Sequence, residues 1–268
     1  MKVLIFFLVT ICCCFSTIFS EEWEGKKSNW KGYDRYDFTL KDKKCYVVVP
    51  KKHNSSKPWV WRSRWPSYHS EPDLLLLEKG FHIAHINTGG MFGSDEALIY
   101  WDNFYHLLTN QYGLSKKTSL VACSRGGLFV YRWASRNPKK VACIFGDVPV
   151  CDFKSWPLGQ GKGVGDKKSW EKLLLEYNLT HEEALMYHKN PIDCLVPLAQ
   201  EKISIFHLVS TTDRVVPPEE NTEILASRYK ALGGDIQVLE VHGSEKANGH
   251  HFAHPNPQLV CDFIIENN

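Results

Sequence analysis

Three short segments carry residues that could make and break bonds. In Leu120-Val121-Ala122-Cys123-Ser124-Arg125-Gly126-Gly127, an apolar, strand-like run meets a helix-like run at Ser124. Ala122 and Gly126, both small, stand two positions before and two after the serine. A sharp strand-to-helix turn needs that arrangement, because larger side chains would strike the strand or the helix. Such a turn holds the serine oxygen above a sheet, at a helix start whose dipole favours negative charge. The same residues could instead form a serine cap, with the glycines allowing close packing.

The second segment is Ser210-Thr211-Thr212-Asp213-Arg214-Val215-Val216-Pro217-Pro218, which follows an apolar run over 203–209. An aspartate just beyond a buried strand can orient an imidazole and stabilise its charged form. Asp147, past the preceding strand-like run, is the competing carboxylate. The third segment, Val241-His242-Gly243-Ser244-Glu245-Lys246-Ala247-Asn248-Gly249-His250-His251, follows the last such run. Serine, aspartate and histidine thus come in that order, each at a strand end. The cluster His250, His251 and His254 could alternatively bind zinc. No carboxylate accompanies it in the H-E-x-x-H manner, so no metal is expected. The run Gly159-Gln160-Gly161-Lys162-Gly163-Val164-Gly165 fits neither a dinucleotide fingerprint nor a phosphate loop, and no cofactor is expected.

The elements that must position these residues alternate. Strands are expected over 35–40, 44–50, 58–62, 81–86, 118–122, 141–145, 203–209 and 236–241. Helices are expected over 73–79, 95–111, 126–137, 218–232 and 257–266; Ser94 caps the second, and Gly80 and Pro138 end the first and third. Such alternation predicts an α/β fold: a mainly parallel, doubly wound sheet with helices on both faces. The two amino-terminal strands would add an antiparallel edge. Ligands of such sheets sit beyond the carboxyl ends of the strands, where all three segments lie. Regularity breaks down over 151–200, which reads as a lid inserted after a central strand, with Cys151 and Cys194 placed to bridge its base.

The 268 residues, 43% of them hydrophobic, can bury a sizeable core as one domain. A formal net charge of +2 with interspersed signs gives no tract suited to nucleic acid. Met1-Lys2, an apolar run over 3–19 and the small Ser20 read as a signal peptide over 1–20, leaving a single domain over 21–268. A membrane anchor is the alternative, since the run is only slightly short of a spanning helix. The signal reading predicts a secreted or periplasmic protein with no stable membrane insertion after cleavage. Cys123 and Cys143, in apolar runs, are expected to be buried free thiols.

Ala122-Cys123-Ser124-Arg125-Gly126, Asp213-Arg214-Val215-Val216-Pro217 and Gly249-His250 together resemble the α/β-hydrolase superfamily. Within it, the chain looks like secreted esterases related to the prolyl-oligopeptidase and acetylxylan-esterase-like branches, without a propeller. The resemblance covers roughly residue 46 to the end. It implies Ser124 as nucleophile, His250 as general base and acid, and Asp213 as the orienting carboxylate, with His251 the neighbouring alternative for the base. It also implies an oxyanion site at the backbone of Arg125 and in the loop at Ser63. The sequence departs from the pattern twice. Ala122 stands where glycine is usual, and Trp61-Arg62-Ser63-Arg64-Trp65 replaces an HGGG-type loop. The substrate implied is an acyl group on a small molecule or oligosaccharide. Trp65 and Trp156 would stack on sugar faces, and Arg62 and Arg64 would meet a carboxylate. A small serine peptidase, or a non-catalytic binding protein on the same fold, is the alternative.

Overall fold

A computed structural model describes residues 23–268; the expected signal peptide over 1–20 lies outside them. Nine strands form one sheet: β1 (Lys26–Trp30), β2 (Tyr33–Leu40), β3 (Lys43–Val49), β4 (Trp59–Arg62), β5 (His82–Ile86), β6 (Thr118–Cys123), β7 (Val141–Asp147), β8 (Ser204–Ser210) and β9 (Ile236–Val241). Their order across the sheet is β1-β2-β3-β5-β4-β6-β7-β8-β9. The strands from β5 through β9 pair in parallel, while β1, β2 and β3 add an antiparallel edge. Eight α-helices accompany the sheet: α1 (Glu71–Glu78), α2 (Asp95–His106), α3 (Gly126–Arg136), α4 (Lys167–Tyr177), α5 (His181–Leu185), α6 (Val196–Gln200), α7 (Thr222–Ala231) and α8 (Pro257–Glu266).

Alternation along the strands divides the core in two. Trp59 and Trp61 of β4, with Leu120, Ala122, Ile144 and Ile205, pack on one face against α2, α3 and α7 residues such as Trp101, Phe104, Phe129 and Leu225. Val60 points the other way, with Ile83, Val121, Phe145 and Leu208, toward Leu76 and Leu77 of α1 and Phe263 and Ile264 of α8. Both faces of the central strands are therefore dry, which is why those strands read as continuous apolar runs. The sequence reading missed β1, whose Lys-Lys-Ser-Asn-Trp is mostly exposed. An outermost strand needs little apolar content, and its lysines discourage pairing with another chain.

The segment over 151–200 is more regular than expected, with α4, α5 and α6 within it. Thr180 and Glu183 form a reciprocal capping box at the start of α5, and Asp166 caps α4. The Cys151–Cys194 bridge is a further correction, since both thiols are free. The buried Cys151 sulfur turns inward and donates to the Pro149 carbonyl at 3.4 Å, while Cys194 lies half-buried. Asn221 closes the base of the segment instead: its Oδ1 accepts from the backbone N–H of Cys151 at 2.8 Å and of Asp152 at 3.2 Å. Cys123 and Cys143 are buried thiols, and burial pushes both to higher pKa, Cys143 to about 12.

Candidate active site

The turn at Ser124 is built from three constraints. Serine adopts a left-handed backbone with φ of +50°, which a non-glycine residue tolerates only when its surroundings enforce it. Ser124 N–H donates to the Asp147 carbonyl at 2.9 Å, and its own carbonyl accepts from Gly127 and Val150 N–H at 3.0 and 2.9 Å. Glycine is required on the helix side: a Cβ on Gly127 would overlap the Val150 carbonyl, and one on Gly126 would overlap the Ser63 hydroxyl. Ala122, on the strand side, is fully buried and fits.

Ser124 Oγ lies 3.0 Å from His250 Nε2, and His250 Nδ1 lies 2.6 Å from Asp213 Oδ2. A carboxylate can only accept, so Nδ1 carries the imidazole proton and Nε2 is left to accept from the serine hydroxyl. The other carboxylate oxygen of Asp213 accepts from Val215 and Val216 N–H at 2.8 and 2.9 Å. The aspartate is thereby fixed by its own loop. Gly249 has φ of +80°, and a Cβ there would overlap the Thr212 carbonyl. Glycine before His250 is thus what lets the histidine loop press against the aspartate loop. Arg214 N–H to the Asn248 carbonyl, at 2.8 Å, ties the two loops.

The competing residues go elsewhere. Asp147 pairs with His69, whose Nδ1 lies 2.9 Å from its carboxylate and whose Nε2 faces the Phe252 carbonyl at 2.8 Å. His251 is exposed, with its ring tilted against Tyr68. His254 packs edge-on against His69, so the three histidines do not converge on a common point. Among the described residues, no group of three or more His, Cys, Asp or Glu is placed to hold a metal ion.

Ser124 and His250 open on a cavity of about 610 Å³, lined also by Trp65, Tyr68, Arg125, Val148, Trp156, Val164, Asp166, Val215 and His251. That size suits a small-molecule group. Trp65 is 46% exposed at its rim. Trp156, Val164 and Asp166 come from the segment over 151–200, so that segment walls the cavity. Sequence reasoning missed Tyr68, Val164, Asp166 and Val215, which lie on loops with no periodic signal.

Arg62 does not reach the cavity. It is 2% exposed, pairs with Asp73 of α1 at 3.0 Å and donates to the Tyr68 carbonyl at 2.6 Å. It holds the loop after β4 in shape, since leaving either charge of such a buried pair unpartnered is costly. Arg64 lies with its guanidinium 4.3 Å from the Trp65 ring centre. Ser63 is a second correction. Its N–H and hydroxyl both donate to the Val121 carbonyl, at 3.1 and 2.7 Å, so neither is left for an oxyanion. The neighbouring Arg64 packs against the first turn of α3, with its Cβ 3.3 Å from where a Gly126 Cβ would stand.

No protein-family model matches the sequence, and no curated protein matches it. Solved structures do. An acylaminoacyl peptidase of Pyrococcus horikoshii aligns with a TM-score of 0.63 at 11% identity, over 88% of this chain. The chain spans only 41% of that peptidase. An esterase of Pyrococcus furiosus aligns with a TM-score of 0.54 at 17% identity, over 82% of this chain and 89% of the esterase. A sugar hydrolase of Lactococcus lactis aligns with a TM-score of 0.56 at 14% identity, over 87% of this chain and 97% of the hydrolase. At such identities the likeness is one of fold.

Proposed function

We propose that this chain, an α/β-hydrolase by fold, is a serine hydrolase that works through an acyl-enzyme on esters carried by carbohydrate. The observation that carries the reading is the continuous relay from Ser124 through His250 to Asp213, opening on the cavity. Ser124 Oγ attacks the carbonyl carbon while His250 Nε2 takes its proton, and Asp213 stabilises the imidazolium that results. The proton passes from His250 to the leaving alcohol, giving the acyl-serine. Water, deprotonated by the same nitrogen, then releases the acid. The negative oxygen of each tetrahedral stage would be held by the N–H of Arg125 and the N–H of Arg64, neither of which has a backbone partner among the described residues.

One observation supports a carbohydrate ester. The flat rings of Trp65 and Trp156 border the cavity, as a sugar face would require. Among the described residues no helix is long and apolar enough to cross a membrane. The apolar leader over 1–20 supports export. A fluorophosphonate probe tests the serine: labelling is expected at Ser124, and an unlabelled wild-type protein would overturn the reading. Rates on acetylated oligosaccharides, aminoacyl-naphthylamides and long-chain esters then test the substrate. Preference for the aminoacyl compounds would move the protein to the peptidases.

A further inference from the structure

Arginines in this protein generally have acids. Arg35 pairs with Asp37, Arg62 with Asp73, Arg132 and Arg136 with Asp95, and Arg228 with Asp193. Arg214, which has none, is exposed and bonded to Asn248. Arg64 and Arg125 are different: each is half-buried with a buried Nε that has no hydrogen-bond partner, and neither makes an ion pair among the described residues, the Arg64 guanidinium reaching only the Asn87 amide oxygen at 3.5 Å. They also sit together. Both guanidinium groups lie over the Trp65 ring, at 4.3 and 5.5 Å, and that of Arg125 also faces Phe92 at 5.3 Å and Trp156 at 6.0 Å.

Two like charges in a half-buried aromatic setting are unfavourable unless an anion joins them. Burial and, next, the charge of Arg64 push the Arg125 guanidinium down to about 10. Asp166 borders the cavity with Arg125 and its charge offsets part of this, but it stands outside ion-pair range of Arg125 and uses one oxygen to cap α4, accepting from Ser169 N–H at 2.7 Å. Arg125 adjoins Ser124 in sequence, so an anion bound here would sit beside the reacting carbonyl. Planar guanidinium groups suit a planar carboxylate, which can take two parallel hydrogen bonds.

We propose that Arg125 and Arg64 form a carboxylate-binding subsite, so that the preferred substrate bears an acid group next to its scissile ester. The proposal rests on Ser124 being the nucleophile, but the subsite can be tested without turnover. Trp65 and Trp156 adjoin it, so tryptophan fluorescence reports occupancy. At matched ionic strength, Ser124→Ala protein titrated with glucuronate or succinate should show a saturable change that glucose does not give. Adding Arg125→Gln or, separately, Arg64→Gln should weaken that binding by about tenfold or more, in proportion to a lost charged hydrogen bond. Equal responses to glucuronate and glucose, or binding unmoved in both variants, would overturn the subsite.

Turnover then locates the acid. The 4-nitrophenyl monoester of succinic acid against 4-nitrophenyl butyrate tests an acid on the acyl side. Acetylated glucuronate against acetylated glucose tests one on the alcohol side. At least one acidic member should lead by about tenfold in kcat/KM, and the lead should shrink toward unity in Arg64→Gln. Neutral esters turned over as fast as acidic ones in both pairs would sink the subsite while leaving the serine reading intact. A protein that binds glucuronate yet resists fluorophosphonate would do the reverse.

Discussion

Ser124, His250 and Asp213 come from three loops separated by 126 and 37 residues, yet their side chains meet within 3.0 Å. Each is held by something other than its partner: the serine by a strained turn, the histidine by its glycine, the aspartate by two backbone N–H groups. Such independent support makes single substitutions informative. Ser124→Ala should lower hydrolytic activity by about ten-thousand-fold or more while leaving the melting temperature unchanged. Asp213→Asn should cost a similar factor, because the amide would favour the other imidazole tautomer. His250→Ala should be inactive and His251→Ala should keep most of its activity; the opposite result would reassign the base. Steady-state kinetics with a chromogenic ester measures all four.

Two elements carry the site and can be disturbed separately. The first is the packing of α3 on the loop after β7. Gly127→Ala places a methyl group against the Val150 carbonyl, a backbone atom that cannot simply rotate away. A loss of about 1–3 kcal/mol in chemical denaturation is expected, as for other overpacked sites. An unchanged midpoint would mean that the elbow has more room than its geometry indicates. The second element is the glycine run that walls the cavity. Its anchor is Glu220, whose carboxylate accepts from Lys162 N–H and, at 2.6 Å, from the Ser155 hydroxyl, while Lys162 Nζ pairs with Glu219 at 2.9 Å. Glu220→Ala should therefore speed tryptic cleavage after Lys162 several-fold and leave other sites unaffected. Limited proteolysis followed by mass spectrometry gives the answer. Unaltered cleavage would show that the Val164 N–H bond to the Arg214 carbonyl, at 2.9 Å, holds the loop unaided.

At the scale of the molecule, stability should follow the buried histidines. Burial pushes His82 and His85 down to about 4 and His207 to about 3. In the unfolded chain each would titrate near 6.5. Their contribution is therefore complete above about pH 6.5 and is lost as pH falls toward the folded values, because the unfolded chain then binds more protons. His69 has the opposite sign. Its burial would lower its pKa, but the Asp147 hydrogen bond and charge, with the Phe252 carbonyl, raise it. Its contribution is present below about pH 6.5 and fades as pH rises through the raised value, so it offsets the other three only in part. The net expectation is a loss on the order of 5 kcal/mol between pH 7 and 5, or roughly 15 °C in Tm. Calorimetry across that range checks it, and a flat Tm would mean that these histidines stay solvated.

Much of this was readable from residue types alone. The parallel strands announce themselves because both of their faces are buried, which leaves continuous apolar runs such as 203–209. The small-x-Ser-x-Gly turn, the aspartate past a strand and the glycine before a histidine are local requirements of backbone geometry, so they leave a local trace. Three-dimensional packing decided the rest. Asp147 ends β7 and Asp213 follows the neighbouring β8, and the approach of His250 to Asp213 and of His69 to Asp147 is what tells their roles apart. Arg62 and Arg64 stand two residues apart, yet one is sealed against Asp73 and the other lies beside Trp65; the strand's alternation ends between them, and nothing local dictates where an irregular loop points. Ser63 is committed to Val121, a residue of the neighbouring strand that no sequence spacing connects to it. Pairing partners, burial and the company a charge keeps are properties of contacts between distant segments, and they exist only once the chain has folded.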